Sequence, residues 1–285
     1  MNQIRIVECP RDAMQGIHSF IPTELKIKYL NALLKVGFDT LDFGSFVSPK
    51  AIPQLKDTAE VIPHLIDSST KLLAIIANER GAEDAGNFNR IHSVGFPFSV
   101  SEQFQLRNTN TTRKSALDRV KHIQRIAEQA GQELRLYLSM AFGNPYGEEW
   151  SPAIVQYWSE AVVDLGVKEI VLSDTVGVAT GQQIESLYQT LAQTFGSKIK
   201  ISCHFHSRPE QWEEKVRAAS KAGCLGFDGA IKGFGGCPMA DDELVGNLAT
   251  ENLLHYFSKE LEGQMDRKAF QDAAAISDEI FLQYH

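Results

Sequence analysis

Cysteine is scarce in this sequence, and the few present form no pattern. Cys9, Cys203, Cys224 and Cys237 are the full complement of 285 residues, with no C-x-x-C pair and no zinc-like spacing. That argues against a disulfide scaffold or a zinc ribbon, and the thiols are expected to stay reduced. Long apolar runs are missing as well: none approaches the roughly 18–20 residues a spanning helix needs. The opening "MNQIRIVECPRD" has no secretory apolar region, so a cytoplasmic location is expected. Nor is there a basic block. The balance of 28 Lys+Arg against 36 Asp+Glu gives a net charge of −8. Nucleic acid and anionic membranes both demand a concentrated positive footprint, so neither is expected as a partner. No low-complexity tract or linker divides the chain, and residues 1–285 are expected to form one domain.

What is present alternates between two textures. Short apolar runs rich in branched and aromatic residues recur: "IRIVECP", "FDTLDFGSF", "KLLAIIA", "IHSVGFPFS", "LRLYLSMAF", "EIVLSDT", "IKISCHFH" and "GFDGAIKG". Between them lie polar stretches with apolar residues at three- and four-residue spacing, such as "PTELKIKYLNALLKVG", most of them ending in glycine. The helical pattern is weak after the third and fourth runs. Strands alternating with helices imply βα units and a parallel sheet. Eight units in this length fit a (β/α)₈ (TIM) barrel, which typically takes about 250 residues. An open doubly wound sheet is the competitor, but no G-x-G-x-x-G follows the first strand. From about residue 250 a further helical segment is expected to pack on the barrel, and its amphipathic pattern offers a surface for a homodimer.

Barrel enzymes carry their chemistry at the C-terminal ends of the strands. There the sequence places Arg11 and Asp12, then Asp42 and Ser45, then Asp174 in "SDT". His204 and His206 end the seventh run, Cys237 follows the eighth in "GFGGCP", and Asn247 lies in "GNLATE". A strand period of two puts both histidines on one side, the interior, because Ile201 and Cys203 take the other. Each residue has a plain structural role open to it. The histidines could be a hydrogen-bonded core pair, Asp12 a cap, Arg11 an ion-pair partner of Asp174 or Glu8, Cys237 a small buried apolar group. Asn247 could be a turn residue and Asp174 a loop anchor. Taken together, two imidazoles, a carboxylate and an amide oxygen suit an octahedral divalent ion, Mg²⁺ or Mn²⁺, better than zinc.

The segments "VECPRDAMQ", "SFVSPKAIPQL", "LSDTVGVAT", "CHFH", "GFGGCP" and "GNLATE" occur in that order. Together they resemble the 3-hydroxy-3-methylglutaryl-CoA lyase family of metal-dependent barrels, over residues 5 to about 257. The resemblance implies cleavage of that acyl-CoA thioester to acetyl-CoA and acetoacetate, as in leucine catabolism. It also implies Asp12, His204, His206 and Asn247 as metal ligands, with Arg11, Asp174 and Cys237 as catalytic residues; Asp42 and His204 are further catalytic candidates. Gln15 and Ser45 are candidate substrate contacts. The proton of the substrate hydroxyl would pass to His204 or Asp174, and Cys237 would return one to the enolate carbon. This chain departs from the family's pattern at Ala13 and Met14, at Gly16–His18, at Asp42 where glutamate is usual, and at Ser207 and Arg208. Its loop after Cys237 is one residue longer and carries Asp241, Asp242 and Glu243.

Overall fold

The eight apolar runs become eight parallel strands in the protein's computed structural model, which describes residues 3–236 and 245–284. They are β1 (Arg5–Glu8), β2 (Thr40–Ser45), β3 (Lys71–Ile75), β4 (Ile91–Ser99), β5 (Glu133–Ser139), β6 (Glu169–Asp174), β7 (Lys200–Phe205) and β8 (Gly226–Gly229). They pair in chain order, and β8 pairs with β1 to close the barrel.

Outside run α1 (Pro10–Gln15), α2 (Thr23–Leu33), α3 (Thr58–Val61), α4 (Glu79–Gly86), α5 (Glu102–Thr109) and α6 (Arg113–Gln129). They are followed by α7 (Pro152–Asp164), α8 (Gly181–Phe195), α9 (Trp212–Lys221), α10 (Thr250–Tyr256) and α11 (Arg267–Tyr284). The expected (β/α)₈ barrel with extra C-terminal helices is what the chain adopts. One detail differs: the weak pattern after β4 covers only α5, because the 17-residue α6 begins beyond it with its own Thr112 cap. The shortest outer helix is instead the four-residue α3, after β2. Among the described residues no helix is long and apolar enough to cross a membrane.

Strand register sorts the side chains into two layers. Val7, Cys9, Leu73, Tyr137 and Val171 form a small apolar cluster inside the barrel. Their neighbours Ile6, Leu72, Leu136, Leu172, Cys203 and Phe205 join the large core between strands and helices. Each fully buried aliphatic or aromatic side chain there stabilises the fold by roughly 1.5–3 kcal/mol relative to exposure. The barrel interior is mostly polar by comparison, and its upper end holds the candidate site.

Candidate metal centre and active site

Arg11 and Asp12 lie on α1, which starts at Pro10 directly after β1; proline at the first helical turn is preorganised for that geometry. Helical spacing then sets Gln15 over both. Arg11 Nη1 donates to Gln15 Oε1 at 2.9 Å, and Gln15 Nε2 donates to Asp12 Oδ1 at 3.0 Å. The rest of the Arg11 fork is taken by carboxylates. Its Nη1 reaches Asp12 at 2.8 Å, while Nε and Nη2 both grip Asp42, Nε at 2.9 Å. Arg11 therefore pairs with Asp42 and Asp12, and the ion pair to Asp174 or Glu8 that its sequence position allowed does not form.

Asp42 and Ser45 are three residues apart, a spacing that in a regular strand points to opposite faces. A register shift between Asp42 and Gly44 resolves this, pairing Asp42 with Leu73 and Ser45 with Ile75, which share the interior. Ser45 is committed to the chain itself. Its hydroxyl donates to Ile75 O at 3.3 Å, and its N–H donates to Thr58 Oγ1 at 3.0 Å.

The two histidines face the interior as expected. His204 pairs in register with Asp228 of β8, and Asp228 sits beside Val7. His204 Nδ1 lies 3.3 Å from Asp228 Oδ2, and His206 Nδ1 lies 2.8 Å from Thr175 O. A carboxylate and a carbonyl can only accept, so each Nδ1 carries the proton and each neutral ring presents a lone pair at Nε2. Those two Nε2 atoms stand 3.2 Å apart. Ligand atoms of Asp12, His204 and His206 all lie within 4.8 Å of one another. Two lone pairs and a carboxylate facing one another repel unless a proton or a cation sits among them. The donor set fits a divalent ion.

Asn247 completes the group through the backbone. It forms an antiparallel bridge with His206, and Ser207 N donates to Gly246 O at 2.9 Å. Asn247 Nδ2 donates to Asp12 Oδ2 at 2.7 Å and to Phe234 O at 2.9 Å, so it is the amide nitrogen that faces the Asp12 carboxylate. Gly235 (φ 90°) packs the preceding segment against α1, where a Cβ would come within 2.8 Å of Asp12 O and 2.9 Å of Asn247 Nδ2. Cys237, with Asp241, Asp242 and Glu243, lies outside the described residues.

Electrostatics differentiate the members. Burial works against charge on every one of them. On Asp12 burial is outweighed chiefly by the Arg11 guanidinium, with the Asn247 amide donor adding to it, and its pKa is held below the ordinary value. On Asp42 burial is only partly offset by Arg11, and its pKa is pushed up to about 6. Burial also opposes a proton on His204, but the Asp228 carboxylate outweighs it and raises the pKa. His206, buried and beside His204, falls to about 4 and stays neutral.

Asp174 is placed apart from this group. It pairs with Phe205, on the helix-facing side. There it accepts N–H bonds from Val178 (2.9 Å) and Ala179 (3.1 Å) and an ion pair from Lys215 Nζ of α9 at 2.6 Å. Lys215 also donates to His206 O at 2.8 Å and to Gly177 O at 3.0 Å. These are the contacts of a residue that anchors the β6–α8 loop.

A family model described as HMGL-like matches residues 3–276. The chain belongs to the HMGL-like family. It is 33% identical to hydroxymethylglutaryl-CoA lyase YngG of Bacillus subtilis, over 91% of this chain and 84% of that protein. A 3-hydroxy-3-isohexenylglutaryl-CoA/hydroxymethylglutaryl-CoA lyase of Pseudomonas aeruginosa is 30% identical, over 95% and 90%. Among solved structures, an HMG-CoA lyase of Acinetobacter baumannii in complex with coenzyme A and 3-methylmalate superposes with a TM-score of 0.89. Sequence identity there is 28%, over 98% of this chain and 91% of that one.

For this HMGL-like chain, sequence reasoning missed the groups behind the ligands. Asp228 and Arg135 sit on strands β8 and β5 facing inward, where Arg135 Nη2 meets Asp228 Oδ1 at 2.5 Å. A charged residue at an inward position of a buried strand ("GFDGA", "LRLYL") was the available signal. Lys215 had none, because "QWEEKVRAASK" reads as a solvated helix face.

Proposed function

We propose that this protein is a divalent-cation-dependent carbon–carbon lyase that splits 3-hydroxy-3-methylglutaryl-CoA into acetyl-CoA and acetoacetate, with Mg²⁺ or Mn²⁺ as the ion. The observation that carries the reading is the meeting of two acceptor Nε2 atoms with the Asp12 carboxylate, beside the Arg11 fork. A mixed nitrogen and oxygen set with room for substrate oxygens suits the octahedral preference of these ions. The acyl-CoA assignment is supported by what the relatives are named for and by the coenzyme A held in the A. baumannii lyase.

The reaction needs the proton taken from a tertiary hydroxyl, the C2–C3 electron pair moved onto the thioester as an enolate, and that carbon then protonated. Asp12, His204, His206 and Asn247 would hold the ion, which supplies Lewis-acid polarisation of the substrate oxygens. Arg11 is permanently charged and braced by Asp42 and Asp12, so it can meet the growing charge on the thioester oxygen without rearranging. Of the two carboxylates expected to be catalytic, Asp42 is the one that faces the interior, and a pKa near 6 suits a proton acceptor at neutral pH. His204 has its Nδ1–H held by Asp228 and its Nε2 aimed at the ion position, which favours Asp42 as the base. Cys237 would give its thiol proton to the enolate carbon, and the proton taken by Asp42 would make good the thiolate.

The test is acetoacetate release from 3-hydroxy-3-methylglutaryl-CoA by the purified protein, with Mn²⁺, with Mg²⁺ and with chelator. Ion-dependent release is expected. No release from folded, Mn²⁺-loaded protein would sink the substrate assignment, and a panel of longer 3-hydroxyacyl-CoA thioesters would follow.

A further inference from the structure

Beneath the candidate ligands runs a chain of buried charges that the reaction itself does not call on. Arg135 projects into the barrel from β5, pairing through Nη1 with Glu169 at 3.1 Å and through Nη2 with Asp228 at 2.5 Å. Asp228 is fully buried and splits its two oxygens, Oδ1 to Arg135 and Oδ2 to His204 Nδ1. The Tyr137 ring fills the gap beside them, edge-on to His204 with centroids 5.9 Å apart and 5.6 Å from the Arg135 guanidinium. His204 thus has its tautomer and its ring plane set from below, by a carboxylate that is itself pinned.

We propose that Arg135 acts through Asp228 as a positioning residue for His204, fixing Nε2 toward the cation. This rests on the cation-dependent reading above but not on the choice of substrate. A carboxylate behind a ligating imidazole is worth about 10–100-fold in metal affinity. A carboxylate with a guanidinium on one oxygen cannot swing away from the ring on its other oxygen, which is the contribution assigned to Arg135.

The experiment is Mn²⁺ titration of the full chain, followed by the electron paramagnetic resonance signal of the free ion. Asp228→Asn should weaken binding at least tenfold, and so should Arg135→Gln. The double variant should bind no more weakly than Asp228→Asn alone, because both changes cut one linkage. Glu169→Gln, on the other arm of the Arg135 fork, should leave binding within about twofold. Arg135→Gln leaves the Asp228 charge buried and unpaired and can fail to fold. In that event Arg135→Lys, which keeps a charge beside Asp228 but loses the fork that reaches both Glu169 and Asp228, is titrated instead, with weakening of at least tenfold expected and wild-type affinity overturning the proposal. A folded Arg135→Gln that binds Mn²⁺ like wild type would overturn the proposal, as would a double variant ten times weaker than Asp228→Asn. Wild type that binds Mn²⁺ but releases no acetoacetate counts against the lyase assignment and leaves this one standing. Wild type that binds no Mn²⁺ sinks both.

Discussion

Replacing Lys215 by methionine separates two roles for Asp174. The pair is enclosed, with side chains 2% and 1% exposed and 2.6 Å between Nζ and Oδ2. Methionine keeps most of the stem's volume while removing the ammonium, so packing changes little and Asp174 is left as a buried carboxylate with two amide donors. Breaking a buried pair from one side costs about 3–5 kcal/mol, because the survivor's desolvation is no longer offset. Against a typical total of about 5–15 kcal/mol that is a severe loss. For a chain of 285 residues it corresponds to a fall in Tm of about 5–8 °C. Two further acceptors, His206 O and Gly177 O, lose their donor in the same change, so the cation site should loosen together with the β6–α8 loop. Asp174→Asn cuts the same pair from the other side. If Asp174 anchors the loop, both variants show comparable losses in urea unfolding, and activity falls in step with Mn²⁺ affinity. The reasoning is refuted if Asp174→Asn unfolds like wild type, binds Mn²⁺ like wild type and yet loses kcat by orders of magnitude. That pattern belongs to a residue touching the reacting atoms.

Three more outcomes are expected. Glu8 is wholly buried, and burial, only partly offset by hydrogen bonds from Thr250 and Ile231, raises its pKa from about 4.5 to about 8. The folded state then holds the proton more tightly than the unfolded one, so this contribution is complete below about pH 4.5 and is lost as pH rises through 8. Urea midpoints of wild type and Glu8→Gln at pH 5.5 and 8 should diverge, with wild type losing more on the alkaline side; parallel slopes would contradict the assignment. Gly235→Ala should destabilise the protein and weaken Mn²⁺ binding, since its Cβ would meet Asp12 O at 2.8 Å on a left-handed backbone. Strain of this kind costs about 1–3 kcal/mol, and thermal melts with and without Mn²⁺ would measure it. Finally, Mn²⁺ at about 100 times its Kd should stabilise the wild type by about 2.7 kcal/mol, read as a Tm shift that chelator reverses.

The barrel was legible because its two periodicities differ so plainly. Runs such as "KLLAIIA" and "EIVLSDT" are apolar on both faces in the way only an enclosed parallel strand tolerates. Parity also fixed which way His204 and His206 point. Parity alone would set Asp42 and Ser45 on opposite faces of β2; the bulge brings them to one side, and an inserted residue leaves no mark in the hydrophobic pattern. Parity was silent on Asp174 as well, since the last residue of a strand can serve the loop or the interior, and the decision lay with Lys215, about 40 positions away. Arg11 shows the same dependence on tertiary partners: neither Asp174 nor Glu8 is used, and it pairs instead with Asp42 on the neighbouring strand and with Asp12 beside it.

The first strand and the last meet at one line of the barrel, and the candidate site lies across that line. Asp12 is joined to Asn247, and Glu8 to Thr250 and Ile231, so the two ends of the chain are stitched there by side chains as well as by the β1–β8 ladder. An ion held by Asp12 and Asn247 would act as a rivet on this seam. The site cannot be assembled by any fragment that stops short of residue 245, whatever its strands do alone. Ion affinity therefore reports whether the cylinder has closed, and a barrel opened along this seam would lose its chemistry at the same stroke.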